Sequence, residues 1–186
     1  MHIKLQIFVK EPNYRIGTEY IILFSLLTVI FLCYFTNYIN TEKNEFIEAI
    51  GGLTIIPTFL YIIILMVSNF FRHERLNGKL SGELLFEQDK VCFGETQYNI
   101  TDVAKIEINN WDIKGNFVNA LREFKPHRSN GVKNYVKLYL KSGDIKTCYF
   151  LQTKNEKIQI YRKVFTKYYE KNLIGTQNYQ NITEEN

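Results

Sequence analysis

Side chains able to hold an anion are densest between Arg122 and Lys133. Arg122, Lys125, Arg128 and Lys133 fall within 12 residues, with His127 among them and Glu123 the only acid. Guanidinium and ammonium groups so spaced suit phosphate or carboxylate oxygens. Beside an anionic leaflet each basic residue contributes about 1 kcal/mol. Pro126 and Asn130-Gly131 mark the stretch as loop, and an ordinary solvated loop accounts for the same residues. A second mixed stretch, Trp111-Asp-Ile-Lys-Gly-Asn-Phe117, can line a pocket. The simpler expectation is that Trp111 and Phe117 pack on a sheet and Gly115 bends a strand.

Chemistry of other kinds finds no support. The chain has no H-E-x-x-H, C-x-x-C, G-x-G-x-x-G, P-loop or G-x-S-x-G pattern. His2, His73 and His127 are far apart in sequence, as are Cys33, Cys92 and Cys148. In a reducing compartment Cys92 and Cys148 read as small core residues. Asn99-Ile-Thr101 and Asn181-Ile-Thr183 match the glycosylation pattern, and the topology derived below makes both chance matches. The expectation is a non-enzyme with no cofactor and no metal.

The elements that position these residues are of two kinds. Averaged over 186 residues the chain looks soluble, 46% hydrophobic and 23% charged. That average hides two uncharged blocks, one between Glu19 and Glu42 (22 positions) and one between Glu48 and Arg72 (23 positions). A helix needs about 20 apolar residues to cross a bilayer, and neither block has a polar face at helical spacing. We therefore expect transmembrane helices over 20–38 and 52–71, joined by a short outer loop, with Pro57 loosening the second. A cleaved signal fits poorly, because the first run is too long and no small-residue pair follows it. No ionisable side chain lies within either span, which leaves an ion pathway or proton relay without residues. Ser25, Thr28, Thr36, Thr54 and Thr58 then read as helix–helix contacts.

Lys/Arg bias sets the orientation. Lys4, Lys10 and Arg15 precede the first span, and Arg72, Arg75 and Lys79 follow the second. The loop 39–51 carries Lys43 against Glu42, Glu45 and Glu48. Both termini are expected in the cytoplasm of an inner-membrane, multi-pass protein, with Arg72, Arg75 and Lys79 as membrane-edge anchors. Residues 72–186 hold 19 basic and 14 acidic residues, a net of +5, part of which reflects proximity to an anionic leaflet.

Beyond Leu76 the period changes to two. Leu84 and Phe86, Val91 and Phe93, Ile106 and Ile108, and Val136, Leu138 and Leu140 alternate with polar residues, and Ser142-Gly-Asp144 marks a hairpin. Ile3, Leu5, Ile7 and Val9 also alternate, so the N-terminal tail 1–19 reads as a strand able to cover a sheet edge. Thr153-x-x-Glu156 is a capping box ahead of an amphipathic helix over 154–171, with Ile158, Tyr161, Val164, Phe165 and Tyr168 on one face. Residues 174–186 read as a polar, flexible tail.

Strands first and one amphipathic helix last, together with Gly82-Glu-Leu-Leu-Phe-Glu-Gln-Asp-Lys-Val91, Tyr98-Asn-Ile-Thr-Asp-Val-Ala-Lys-Ile-Glu-Ile108 and Ser129-Asn-Gly-Val-Lys-Asn134, resemble the pleckstrin-homology-like domains of bacterial membrane-anchored proteins. The resemblance covers 76–173. It implies an α+β membrane protein, a two-helix transmembrane hairpin followed by an antiparallel β-barrel or sandwich closed by the C-terminal helix. Lipid-binding members have a basic first turn and usually a Trp in the closing helix. Here the turn is Glu87-Gln-Asp-Lys90 and the only Trp is Trp111, so phosphoinositide binding does not carry over. The expected function is a membrane-tethered interaction module. Its partners would be the bilayer, anionic headgroups or a protein held by Arg122, Lys125, His127, Arg128 and Lys133, and no nucleic acid. The alternatives are a ligand-sensing or regulatory subunit with a pocket near Trp111 and, more remotely, an enzyme.

Overall fold

A computed structural model describes residues 4–12, 17–39, 45–118 and 125–183. They gather into two units, one drawn from residues 4–12, 73–118 and 128–183, the other from 17–39, 45–72 and 125–127.

The first unit is built on seven antiparallel strands, β1 (Leu5–Lys10), β2 (Gly78–Phe86), β3 (Lys90–Phe93), β4 (Thr96–Asn99), β5 (Val103–Asn109), β6 (Asn134–Leu140) and β7 (Ile145–Phe150). Their order is β4-β3-β2-β1-β7-β6-β5. The tail strand therefore lies in the middle of the sheet, not at an edge. It pairs Leu5 with Leu84 and Lys10 with Gly78 on one side, and Ile7 with Phe150 on the other. Burial explains the placement, because Leu5, Ile7 and Phe8 are all buried, each worth roughly 1.5–3 kcal/mol. The Glu11 N–H donates to the Asn77 carbonyl at 3.1 Å, one step beyond the last strand pair. Everything between Glu11 and Asn77 is thus an insertion into a β1–β2 hairpin. Gly78 is required at this neck, since a Cβ there would lie 2.2 Å from the Val9 carbonyl oxygen.

The sheet does not close into the expected barrel. A 3-10 turn at Ile100–Asp102 separates β4 from β5, and the two stand at opposite ends of the order. The outer edge of β5 is occupied instead. Ile106 N–H donates to the Leu173 carbonyl at 2.7 Å, and the Asn178 side chain bonds both the N–H and the carbonyl of Ile108, at 3.0 and 2.6 Å.

Two helices follow the strands, α1 and α2 being the apolar pair described below. The expected 154–171 helix is shorter. Thr153 Oγ1 accepts the Glu156 N–H at 3.0 Å, as in a capping box, but the Glu156 carbonyl takes the Thr153 N–H. Those residues make a turn, a 3-10 segment runs over Ile158–Tyr161, and α3 covers Arg162–Glu170. Phe165 and Tyr168 of α3 are fully buried, and the Phe165 ring centroid lies 5.0 Å from that of Phe86. Asn172, at φ +58°, ends the helix in the left-handed conformation. The tail then departs from expectation, since residues Thr176–Thr183 form α4. Ile174 and Ile182 are buried in the sheet's core, and Tyr179 stacks on Tyr169 at 4.6 Å. Two apolar anchors and the Asn178 bonds hold a segment whose composition is polar.

The second unit holds α1 (Thr18–Ile39) and α2 (Glu45–Phe71), both long and apolar enough to cross a membrane. The second helix begins earlier than the sequence indicated, so residues 45–51 of the expected outer loop are helical. Pro57 lies inside the unbroken α2. The helices pack antiparallel. Tyr61 Oη donates to the Glu19 carbonyl at 3.3 Å, Arg72 pairs with Glu19 at 3.7 Å, and a Cβ on Gly51 would sit 3.1 Å from Cys33 Cβ. Gly51, Thr58, Leu65 and Asn69 form the buried stripe of α2, at the seven- and four-residue spacing of a helix–helix seam. The hydroxyls do not reach across. Ser25, Thr28, Thr36, Thr54 and Thr58 each donate to a carbonyl three or four residues back in their own helix, at 2.7–2.8 Å. Of these five only Thr58 is buried.

Candidate functional site

The loops 110–118 and 128–133 are joined by a buried polar knot. Asp112 is the one buried carboxylate among the described residues. Ser129 Oγ donates to its Oδ1, and the Lys133 N–H donates to its Oδ2 at 2.9 Å. Asn134 completes the knot. Its Oδ1 accepts the Asp112 N–H at 2.9 Å, and its Nδ2 donates to the carbonyls of Asp112 and Gly131 at 2.7 and 2.9 Å. Gln152 Nε2 reaches the Asn110 carbonyl at 2.7 Å, while its Oε1 accepts the Ile158 N–H at 2.9 Å. Buried polar groups cost little when each lone pair and proton is matched. Gly131 (φ +77°) passes through the centre, where a Cβ would lie 2.4 Å from the Gln152 carbonyl oxygen and 2.7 Å from the Lys114 nitrogen. The knot's side chains bond to one another and to the backbone of the two loops they hold.

Against that frame the basic stretch divides. Arg122 lies outside the described residues. Lys125 is exposed. His127 belongs to the helical unit, where its N–H donates to the Asn69 carbonyl at 2.9 Å and its ring lies 6.1 Å from that of Phe70. Arg128 belongs to the sheet unit. Its guanidinium sits over the Phe117 ring at 5.3 Å, and its carbonyl takes the Glu74 N–H at 2.7 Å. Lys133 Nζ is 2.6 Å from the Glu74 carboxylate, so its charge is compensated. Within the sheet unit, Arg128 and Lys133 thus each have a partner of their own, Phe117 and Glu74. Of the membrane-edge anchors, Arg72 pairs with Glu19, Lys79 pairs with Glu11 at 3.5 Å, and Arg75 is exposed, its carbonyl accepting from Asn130 at 3.1 Å.

The loops instead display aromatics. Trp111 and Phe117 do not pack on the sheet as expected; they are 60% and 59% exposed. They flank the exposed Lys114. The backbone beneath them is fixed by Lys114 N–H to the Gln152 carbonyl and Gly115 N–H to the Ser129 carbonyl, both 2.9 Å. Arg128 bridges to His73 on one side and Phe117 on the other, and a Cβ on Gly115 would lie 3.9 Å from His73 Nε2. The sequence marks this stretch but not its exposure, because the bonds of Asp112, Ser129, Asn134 and Gln152 that fix the loops carry no periodic signal.

The outer face of β5–β7 is the other polar surface. Glu107 accepts from the Tyr135 and Tyr139 hydroxyls at 3.0 Å each, with Lys137 at 3.8 Å. Burial alone would raise the Glu107 carboxyl, but the two hydroxyl bonds and the Lys137 and Lys105 charges hold it below the ordinary range. Lys137 lies over the Tyr135 ring at 4.7 Å and Lys105 over that of Tyr139 at 5.5 Å. The cysteines of this unit are core residues. Burial raises the Cys92 thiol and pushes that of Cys148 up to about 12, far from the thiolate a nucleophile or metal ligand needs.

Compared with protein-family models, curated proteins and solved structures, the chain matches none.

Proposed function

We propose that the chain is a membrane-tethered interaction module. In this reading α1 and α2 cross the inner membrane as a hairpin. Both flanks lie in the cytoplasm and together build a pleckstrin-homology-like domain that binds a protein partner or an anionic membrane surface. One observation carries the reading, the pairing of β1 with β2 on either side of the helical insertion. An antiparallel pair cannot form with its strands on opposite sides of a bilayer, and two crossings return the chain to the side it left. The Lys/Arg bias makes that side the cytoplasm. The order of strands followed by an amphipathic helix supports the domain assignment, with β1 supplied from ahead of the membrane segment.

The absence of a turned-out nucleophile or base in the polar knot favours binding over catalysis. The exposed Trp111 forms no enclosed wall, so the small-molecule reading loses the feature that would favour it. The Tyr-rich face of β5–β7 supplies the residue types that anchor protein interfaces. A photo-crosslinker placed at Tyr149 of the full chain in native membranes tests the module. A discrete protein or lipid adduct is the expected result. No adduct from this position, nor from Lys125 or Lys105, would contradict the reading.

A further inference from the structure

The loops of the sheet unit gather around His73, the residue at which the chain enters that unit from the apolar insertion. His73 follows Phe71, the last residue of α2, by two positions, which reach at most about 7 Å. Within the sheet unit, His73 bridges to Arg128, Arg128 covers Phe117, and Gly115 lies against His73. The loop bearing Trp111, Lys114 and Phe117 therefore lies close to the residue at which the chain, two positions past the apolar helix, enters the sheet unit.

Exposing two large aromatic side chains at 60% and 59% on a loop so firmly held from below is costly in water. The same pair is favoured at a membrane–water interface, where a Trp ring has its apolar body and its polar N–H both satisfied. Lys114 between them, with the exposed Arg75 two residues after His73, complements an anionic leaflet.

We infer that the 111–117 loop is a membrane-contact wedge. Trp111 and Phe117 enter the interfacial layer of the bilayer in which α1 and α2 are anchored, and Lys114 rests on anionic phospholipid headgroups. This rests on the membrane tether proposed above and adds a second, peripheral contact. It fixes the domain against the lipid surface and leaves the β5–β7 face available to a partner.

The single tryptophan of the chain makes the test direct. Full-length protein is reconstituted in phosphatidylcholine vesicles with and without phosphatidylglycerol. Trp111 emission is then quenched by brominated acyl chains or by aqueous acrylamide. Brominated lipid should remove about half of the emission or more, as for an interfacial aromatic, and acrylamide should remove little. Lys114→Ala should lower the extra quenching conferred by brominated phosphatidylglycerol by up to about fivefold. Emission open to acrylamide and untouched by brominated lipid overturns the wedge, and an unchanged phosphatidylglycerol preference in Lys114→Ala overturns the headgroup contact. Alkaline carbonate extraction of the same vesicles separates the two proposals. Resistant protein with an unquenched Trp111 sinks the wedge alone, and extractable protein sinks the tether beneath it.

Discussion

The sheet unit and the helical pair solve the same problem in opposite directions. In the sheet unit large apolar side chains such as Phe150, Phe165 and Leu84 are fully buried, and buried polar groups find partners on distant segments, Asp112 with Ser129 and Gln152 with Asn110. In the helical pair the apolar side chains point outward, Phe24 at 73% exposed among them, and the hydroxyls bond back to their own helix. The first arrangement suits water outside and the second suits hydrocarbon outside, where a backbone or hydroxyl group must be satisfied locally. One uninterrupted chain carries both because the helices are inserted at a hairpin neck whose two strands remain paired. Tolerance to substitution should therefore run in opposite senses in the two regions.

The largest expected effect separates them. Removing residues 1–10 from the full chain deletes Leu5, Ile7 and Phe8 from the core and splits the sheet at its centre. At about 2 kcal/mol per buried side chain this approaches the whole stability of a small domain. Cooperative unfolding of the sheet unit, followed by limited proteolysis, should disappear. Replacing residues 12–76 by an Asn-Gly turn should do the reverse and yield a soluble domain with one sharp thermal transition. Aggregation of that protein would show that the units depend on each other.

Glycine substitutions sharpen the contrast. Gly131→Ala should cost about 2–4 kcal/mol, from a strained positive φ and a clash with fixed backbone, measured by denaturant unfolding. Gly52→Ala on α2, where a Cβ meets nothing within 4 Å, should be neutral or slightly stabilising. Gly51→Val should instead weaken helix pairing by crowding Cys33.

A smaller effect follows from pH. The Cys148 thiol is raised from 9.0 to about 12 by burial, so above pH 9.0 the folded state keeps a proton that the unfolded state releases. Stability should fall as pH rises from 9.0 toward 12, by on the order of a few kcal/mol, and Cys148→Ala should flatten that slope. The smallest effect is at Glu107, whose carboxyl is held below 4.5. Its contribution is present above that value and fades as pH falls below it. Glu107→Gln should remove only this shallow acid-side loss.

Much of the architecture was legible in local pattern. The two uncharged runs became α1 and α2, the period-two runs became β2, β3, β5 and β6, and Ser142-Gly-Asp144 turned between β6 and β7. What local pattern could not show was pairing at a distance. The alternation of Ile3, Leu5, Ile7 and Val9 marks a strand but not its position between β2 and β7, because register depends on partners roughly 80 and 140 residues away. The Thr176–Thr183 helix was hidden by its polar composition, since Ile174, Asn178 and Ile182 hold it only by tertiary contact. The contacts made within the basic run were hidden for a related reason. Lys133 and Arg128 meet Glu74 and Phe117, neither of which is near them in sequence, and the aromatics expected to be covered were left outside.

The central claim, that the insertion crosses the membrane and both flanks share one side, is tested most directly by cysteine accessibility. In a chain freed of its three native cysteines, Lys10→Cys, Glu45→Cys and Lys146→Cys are each labelled in sealed, oriented vesicles with a membrane-impermeant maleimide. The topology predicts that positions 10 and 146 label from the same face and position 45 only from the other. Labelling of all three from one face, or of 10 and 146 from opposite faces, would contradict it.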